Sequence, residues 1–331
     1  ANCNLVVCVI LFSTYISFAG YYHNVPLHEL DNYYRFLLLL PLLALSLNER
    51  YIPIVIFICA AAGLIHAINT NVFFDNTFRL QGTSSTAITY ANMCATLMMV
   101  CLYYLFYKGR KSYLLALSAL FFLTLLLLTE TRGPIIGIVF TSIYFALSLK
   151  SSNKIKVNLK VPLLFLFIFL VTIVIVPNPL GERLKEFKNI NLNEPLKTSH
   201  YYLRERIYYN IFGLEQIKNN YFKGVGPQNI KKLMRESLKN NNIDNIRTPD
   251  HLHNDLLDIT LKFGITSIFL LFLMYFFIIN PSNRDDKVLL TILMIMLVSS
   301  QLTQSQFAHH QAISFFITLF YLLQSKGNLS R

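Results

Sequence analysis

Two histidines stand two positions apart in HLHNDLLDITLKFGI, residues 251–265. His251 and His253 share a face if the segment is extended and diverge if it is helical. From 252 to 262 the apolar residues recur at helical spacing, so His253 and Asn254 are expected at the foot of a helix. The unperturbed pKa of imidazole, near neutrality, suits it to removing a proton from a hydroxyl. Two plainer readings stand beside that one. The histidines can be capping or interfacial residues, or they can bind a metal with Asp250 or Asp255, although no H-E-x-x-H spacing is present.

Three arginines add a second kind of chemistry. Arg132 lies in LLLLTETRGPIIGIVF, where only TETRGP separates two apolar runs. A guanidinium at such depth is costly unless it pairs, and Glu130 or a lipid phosphate would serve. It would equally serve as an anion clamp, because its planar fork binds phosphate oxygens bidentately and keeps its charge. Arg79, in NTFRLQGTSSTAI, reads as an ordinary loop arginine or as part of the same clamp. Arg206, beside Arg204 and Glu205, reads as a solvated helix residue or as a third member.

The elements that must position these groups are membrane helices. Of 331 residues 54% are hydrophobic and only 14% charged, against about 25% charged in ordinary soluble domains. Apolar runs long enough for a bilayer core recur throughout, and backbone groups in hydrocarbon must pair internally. The chain is therefore expected to be an all-α, polytopic transmembrane helical protein. Ten spans are predicted, near 1–19, 33–47, 51–68, 86–107, 113–129, 134–149, 161–177, 264–280, 288–304 and 311–324. The first residue is Ala inside an apolar run, so a truncated or processed N-terminus is expected. The predicted organisation is a seven-span bundle over 1–177, a large outer loop over 178–263, and three C-terminal spans with a short cytoplasmic tail over 264–331.

Charge sets the orientation. The alternate loops holding Arg50, Lys108 to Lys111, Lys150 to Lys160, Arg284, Lys287, Lys326 and Arg331 collect twelve Lys and Arg. The short loops of the other side hold three, Arg35, Arg79 and Arg132. The basic side is expected to be cytoplasmic, beside anionic headgroups, and the large loop faces outward. The net charge of +12 is then topological and calls for no nucleic acid. Cys3, Cys8, Cys59, Cys94 and Cys101 all fall in apolar spans and read as packing residues. Tyrosines near span ends, among them Tyr21, Tyr51, Tyr103, Tyr104 and Tyr107, read as interfacial residues.

Within the loop, 201–220 has amphipathic helical spacing, GVGPQN at 224–229 is a turn, and LKNNNIDNIRTP at 238–249 is expected to be polar and mobile. The helix over 252–262 is expected to run directly into the eighth span. No P-loop, dinucleotide fingerprint, G-x-S-x-G or loop cysteine nucleophile is present. No cofactor is implied, and scarce acidic residues within the spans argue against a proton-coupled carboxylate relay.

At these residues the chain resembles the O-antigen ligase family, whose domain is shared with O-antigen polymerases and some protein O-oligosaccharyltransferases. The resemblance covers roughly 75–280. It rests on TETRGPIIG with Arg132, on the Arg206 helix followed by KGVGPQN, and on His253 and Asn254 separated by nine residues from Gly264. Tyr221 stands where the family often has Pro, and Ser267 where it often has Gly. Ligases of the family usually have twelve spans, two more than are read here. The resemblance implies metal-independent transfer of a glycan from undecaprenyl diphosphate to a sugar hydroxyl of lipid A–core, at the periplasmic face of a bacterial inner membrane. His253 would be the base, and Arg132, Arg206 and Arg79 would hold the diphosphate. Asn254, Glu130 and His251 would support them. An O-antigen polymerase is the nearest alternative. A transporter of a lipid-linked glycan is the alternative from another class, and it would need polar residues lining several spans.

Overall fold

The computed structural model describes residues 3–45, 48–70, 80–81, 86–129, 131, 133–151, 201–241, 243, 246–280 and 284–325. Every regular element among them is helical. The α-helices are α1 (Cys3–Tyr22), α2 (Asp31–Leu38), α3 (Ile52–Asn69), α4 (Ala87–Leu102), α5 (Tyr113–Leu128) and α6 (Gly133–Ser151). After them come α7 (Tyr201–Asn219), α8 (Ile230–Asn240), α9 (Asp255–Phe263), α10 (Ile265–Ile278), α11 (Arg284–Thr303) and α12 (His310–Ser325). The predicted seventh span lies outside the described residues.

Three helical stretches are long and apolar enough to cross a membrane: Cys3–Tyr22, Glu49–Asn69 and Ala87–Tyr107. Their surfaces explain why. α1 buries Leu5, Val9, Phe12 and Ile16 but exposes Ile10, Leu11 and Phe18. α3 exposes Ile54, Val55, Ile58 and Ile65. Exposed apolar faces of this size are stable against lipid rather than water. α4 is the central helix: 12 of its 16 residues are buried, and it packs against α5, α6 and α11. Thr86 Oγ1 caps it by accepting from Thr89 N at 3.2 Å.

The predicted span 33–47 is broken. α2 ends at Leu38 and a 3-10 turn, Leu40–Ala44, follows. Pro41 has no N–H to donate to the carbonyl four residues back, so an α-helix cannot continue through it intact. The tyrosines Tyr103, Tyr104 and Tyr107 are turned into the protein rather than exposed. They form a buried π-helical turn, with Tyr103 and Tyr107 stacked at 5.2 Å.

A second, smaller core lies beside the bundle. Tyr208, Tyr209 and Phe212 of α7 pack with Ile230, Met234 and Leu238 of α8, with Val225, Leu252 and Leu261 completing it. Ile230, Met234 and Leu238 repeat every four residues and form the buried stripe of α8, a helix that the sequence reading missed. The stretch expected to be mobile is anchored where it is described. Ile243 and Ile246 pack on this core, and the Arg247 carbonyl accepts from Tyr209 Oη at 3.1 Å.

α9 does not run into α10. Gly264 sits between them at φ +82°, a conformation favoured by glycine. Its N–H closes α9 on the Thr260 carbonyl at 2.8 Å. The segment 221–226 lies across this break, with Val225 N on the Leu261 carbonyl at 2.8 Å, Gly226 N on that of Lys262 at 3.0 Å, and Ile265 N on that of Tyr221 at 2.9 Å. The approach is close enough that a Cβ on Gly224 would fall 2.5 Å from the Lys262 oxygen.

The connections sort to two ends. At one, Leu80 N donates to the Leu128 carbonyl at 3.1 Å, His23 Nε2 to that of Lys223 at 2.8 Å, and Asn32 Nδ2 to that of Phe307 at 2.8 Å. At the other, Arg110 binds Glu49 through its carboxylate at 2.5 Å and its carbonyl at 2.8 Å.

Candidate active site

The histidine motif is held by the carboxylates that follow it. Asn254 is the N-cap of α9: its Oδ1 accepts from Leu256 N at 3.1 Å and Leu257 N at 3.3 Å, satisfying donors that have no partner within the helix. Asp258 accepts from Leu252 N at 3.0 Å and from Lys262 Nζ at 2.5 Å. Asp255, fully buried, accepts from Gln306 N at 2.8 Å and Phe307 N at 3.2 Å. Those bonds tie the start of α9 to the turn between α11 and α12.

His253 itself has φ +55°, outside the regions an L side chain usually occupies. Its ring lies in a cluster drawn from four parts of the chain. Tyr209 of α7 stacks on it at 5.8 Å, and His251 meets it edge-on at 4.5 Å. Nδ1 lies 3.1 Å from Gln304 Oε1, and Gln304 Nε2 lies 3.0 Å from His309 Nε2. His251 and His309 are 6.3 Å apart between ring centroids. Gln304 is itself buried.

The electrostatics favour neutral rings. Burial lowers the His253 pKa below its ordinary 6.5; the bond to Gln304 opposes this and the Arg206 charge adds to it. Burial also lowers His251, to about 4, with the His253 charge acting in the same direction. His309 is lowered by burial and then by His253. An imidazole that is neutral near pH 7 can accept a proton, which is the property a general base needs.

Of the residues read from the sequence, the structure brings together His253, Asn254 and His251, with Arg206 exposed on α7 and acting on His253 through its charge. Arg79, Glu130 and Arg132 lie outside the described residues. Gly133, next after Arg132, is placed: a Cβ there would be 3.1 Å from Thr303 Oγ1, so the start of α6 packs on the end of α11 that leads into Gln304. Sequence reasoning missed Tyr209, Gln304 and His309. The readable signal was SSQLTQSQ over 299–306, a dense polar run at the end of an apolar helix. Among the described residues no three His, Cys, Asp or Glu are arranged to hold a metal ion.

A helical bundle with membrane-length apolar helices, bearing a buried histidine–amide cluster at one end, defines a helical membrane protein with a polar site at the end of its bundle. Residues 117–272 match the family model described as O-Antigen ligase, so nearly half of the chain is similar to that family. The match spans α5 to α10 and so includes His253 and Arg206, while Gln304 and His309 fall beyond it. No curated protein matches the chain significantly.

Proposed function

We propose that this protein is a glycosyltransferase that moves an O-antigen glycan from undecaprenyl diphosphate to a sugar hydroxyl of lipid A–core. The reaction would take place at the periplasmic face of a bacterial inner membrane, in lipopolysaccharide biosynthesis. The observation that carries this reading is the state of His253 inside the family-matched segment. Its Nδ1 is held by Gln304, and its Nε2 has no hydrogen-bond partner among the described residues. In the proposed step the acceptor hydroxyl oxygen attacks the anomeric carbon and its proton passes to His253 Nε2. The bond from that carbon to the diphosphate oxygen breaks, and undecaprenyl diphosphate leaves with the electron pair. Displacement in one step inverts the anomeric carbon. Arg132, Arg206 and Arg79 are assigned to hold the diphosphate, whose growing charge their guanidinium groups neutralise. Guanidinium groups then do the work a metal does elsewhere, so the step as proposed needs none. Glu130 and His251 are assigned supporting roles beside them, and Asn254 supports the site as the cap of α9.

The test is transfer by the purified full chain in lipid nanodiscs, given undecaprenyl-diphosphate-linked O-antigen and lipid A–core. His253→Ala should lower the rate by about 10²–10⁴, the usual contribution of a general base, while donor still binds. A chelator should leave the wild-type rate unchanged. Wild-type transfer by His253→Ala would remove the base assignment. Glycan extension on the lipid-linked donor, with none reaching lipid A–core, would make the protein a polymerase.

A further inference from the structure

We propose that Gln304 and His309 are positioning residues that fix the tautomer of His253, an inference that rests on the reading of His253 as the base. An amide oxygen only accepts, so the 3.1 Å contact to Gln304 Oε1 requires the proton of neutral His253 to be on Nδ1. The lone pair is then on Nε2, the nitrogen to which the proposed step delivers the proton. The amide nitrogen of Gln304 only donates, so the 3.0 Å contact requires His309 Nε2 to be an acceptor. A His309 protonated on Nδ1 would hold the amide facing this way. The flipped amide would present its NH₂ to His253 Nδ1, move the His253 proton to Nε2 and leave no basic nitrogen on the reactive side. It would also set an oxygen against the lone pair of His309 Nε2.

The surroundings hold this arrangement. Gln304 is only 4% exposed, so water does not compete for its amide. Burial lowers the His309 pKa and so favours the neutral ring, which has one accepting nitrogen. The Asp255 carboxylate fixes the backbone between the two residues through Gln306 N and Phe307 N. The device comes from the α11–α12 turn, outside the family-matched residues, and acts on a ring that lies inside them.

The experiment uses the full chain labelled with ¹⁵N-histidine, with the His253 signals assigned by their loss in His253→Ala. Wild type should show His253 protonated at Nδ1. Gln304→Met, which fills similar space without an acceptor, should shift it toward the Nε2-protonated form. It should also lower kcat for transfer about tenfold or more, part of what a base contributes, with little change in KM. Gln304→Glu retains an acceptor and should keep the Nδ1-protonated form and recover part of kcat. His309→Leu acts from the far end of the chain and should loosen the tautomer in the same direction; it carries the test should Gln304→Met fail to accumulate. An unchanged tautomer and full kcat in the variant tested would overturn the inference. If His253→Ala is inactive while Gln304→Met is fully active, only the positioning role falls. If His253→Ala is active, the base reading falls whatever Gln304 does.

Discussion

His253 is subject to opposed influences, and they fix the sign of a pH effect. Burial lowers its pKa, Gln304 raises it, Arg206 lowers it, and Asp258 and Glu205 raise it. A histidine held below 6.5 is unprotonated at neutral pH, so transfer should fall only as the pH drops through that lowered value. Arg206→Gln removes a cation that opposes protonation. The His253 pKa should rise and the acid limb of kcat/KM should move to higher pH, whatever the variant does to the maximal rate. A limb that stays put or moves to lower pH would show that Arg206 does not act on this ring. At this scale type and local spacing singled out His253, Asn254 and Arg206, and the structure sets Asn254 as the cap beside His253 and the Arg206 charge near its ring. Gln304 was hidden because its contact with His253 spans 51 residues and a lone amide has no motif. The role of Asn254 was only half legible, since the sequence gives its place beside His253 but not that its oxygen caps a helix.

Among the elements, the sharpest constraint is the crossing of 221–226 over the end of α9. A Cβ on Gly264 would fall 2.0 Å from the Phe222 carbonyl oxygen, at a φ of +82°. Gly109 has φ +64° with nothing within 4 Å of such a Cβ. Gly264→Ala should therefore lower the thermal midpoint well beyond the loss caused by Gly109→Ala. Strained φ alone costs on the order of 1–3 kcal/mol, and only Gly264 adds a backbone collision. Equal losses in a melting assay would show that the crossing yields without cost. The long apolar helices were readable because burial against lipid needs only composition and length. The breaks were not readable in the same way. Pro41 was visible in the sequence yet lay inside an apolar run, and the turn at Gly264 depends on a partner segment some forty residues earlier. The stripe of α8 was overlooked because Lys and Arg surround it.

For the molecule as a whole, the structure brings the histidine cluster, the start of α6 and the small second core to one end of the bundle. The distribution of basic loops is the ground for proposing that this end faces outward. Single cysteines at Ser151 and Lys239, in a background without the native cysteines, test this in intact spheroplasts with an impermeant maleimide. Lys239→Cys should be labelled and Ser151→Cys protected, and the reverse pattern would overturn the orientation. The alternation of loops is a proposal from sequence, made because charge distributes across a membrane by simple rules. The sequence did not show that these polar segments build a core of their own, because the contacts among α7, α8 and Leu252 are distant in sequence. α9 belongs to both cores: Ile259 and Phe263 are in the main one, while Leu257 and Leu261 face the smaller. The smaller unit therefore cannot swing up like a hinged cover at this point without stripping apolar surface from one side of α9. A route by which the proposed substrates reach His253 while both cores stay intact would open along another side of the molecule.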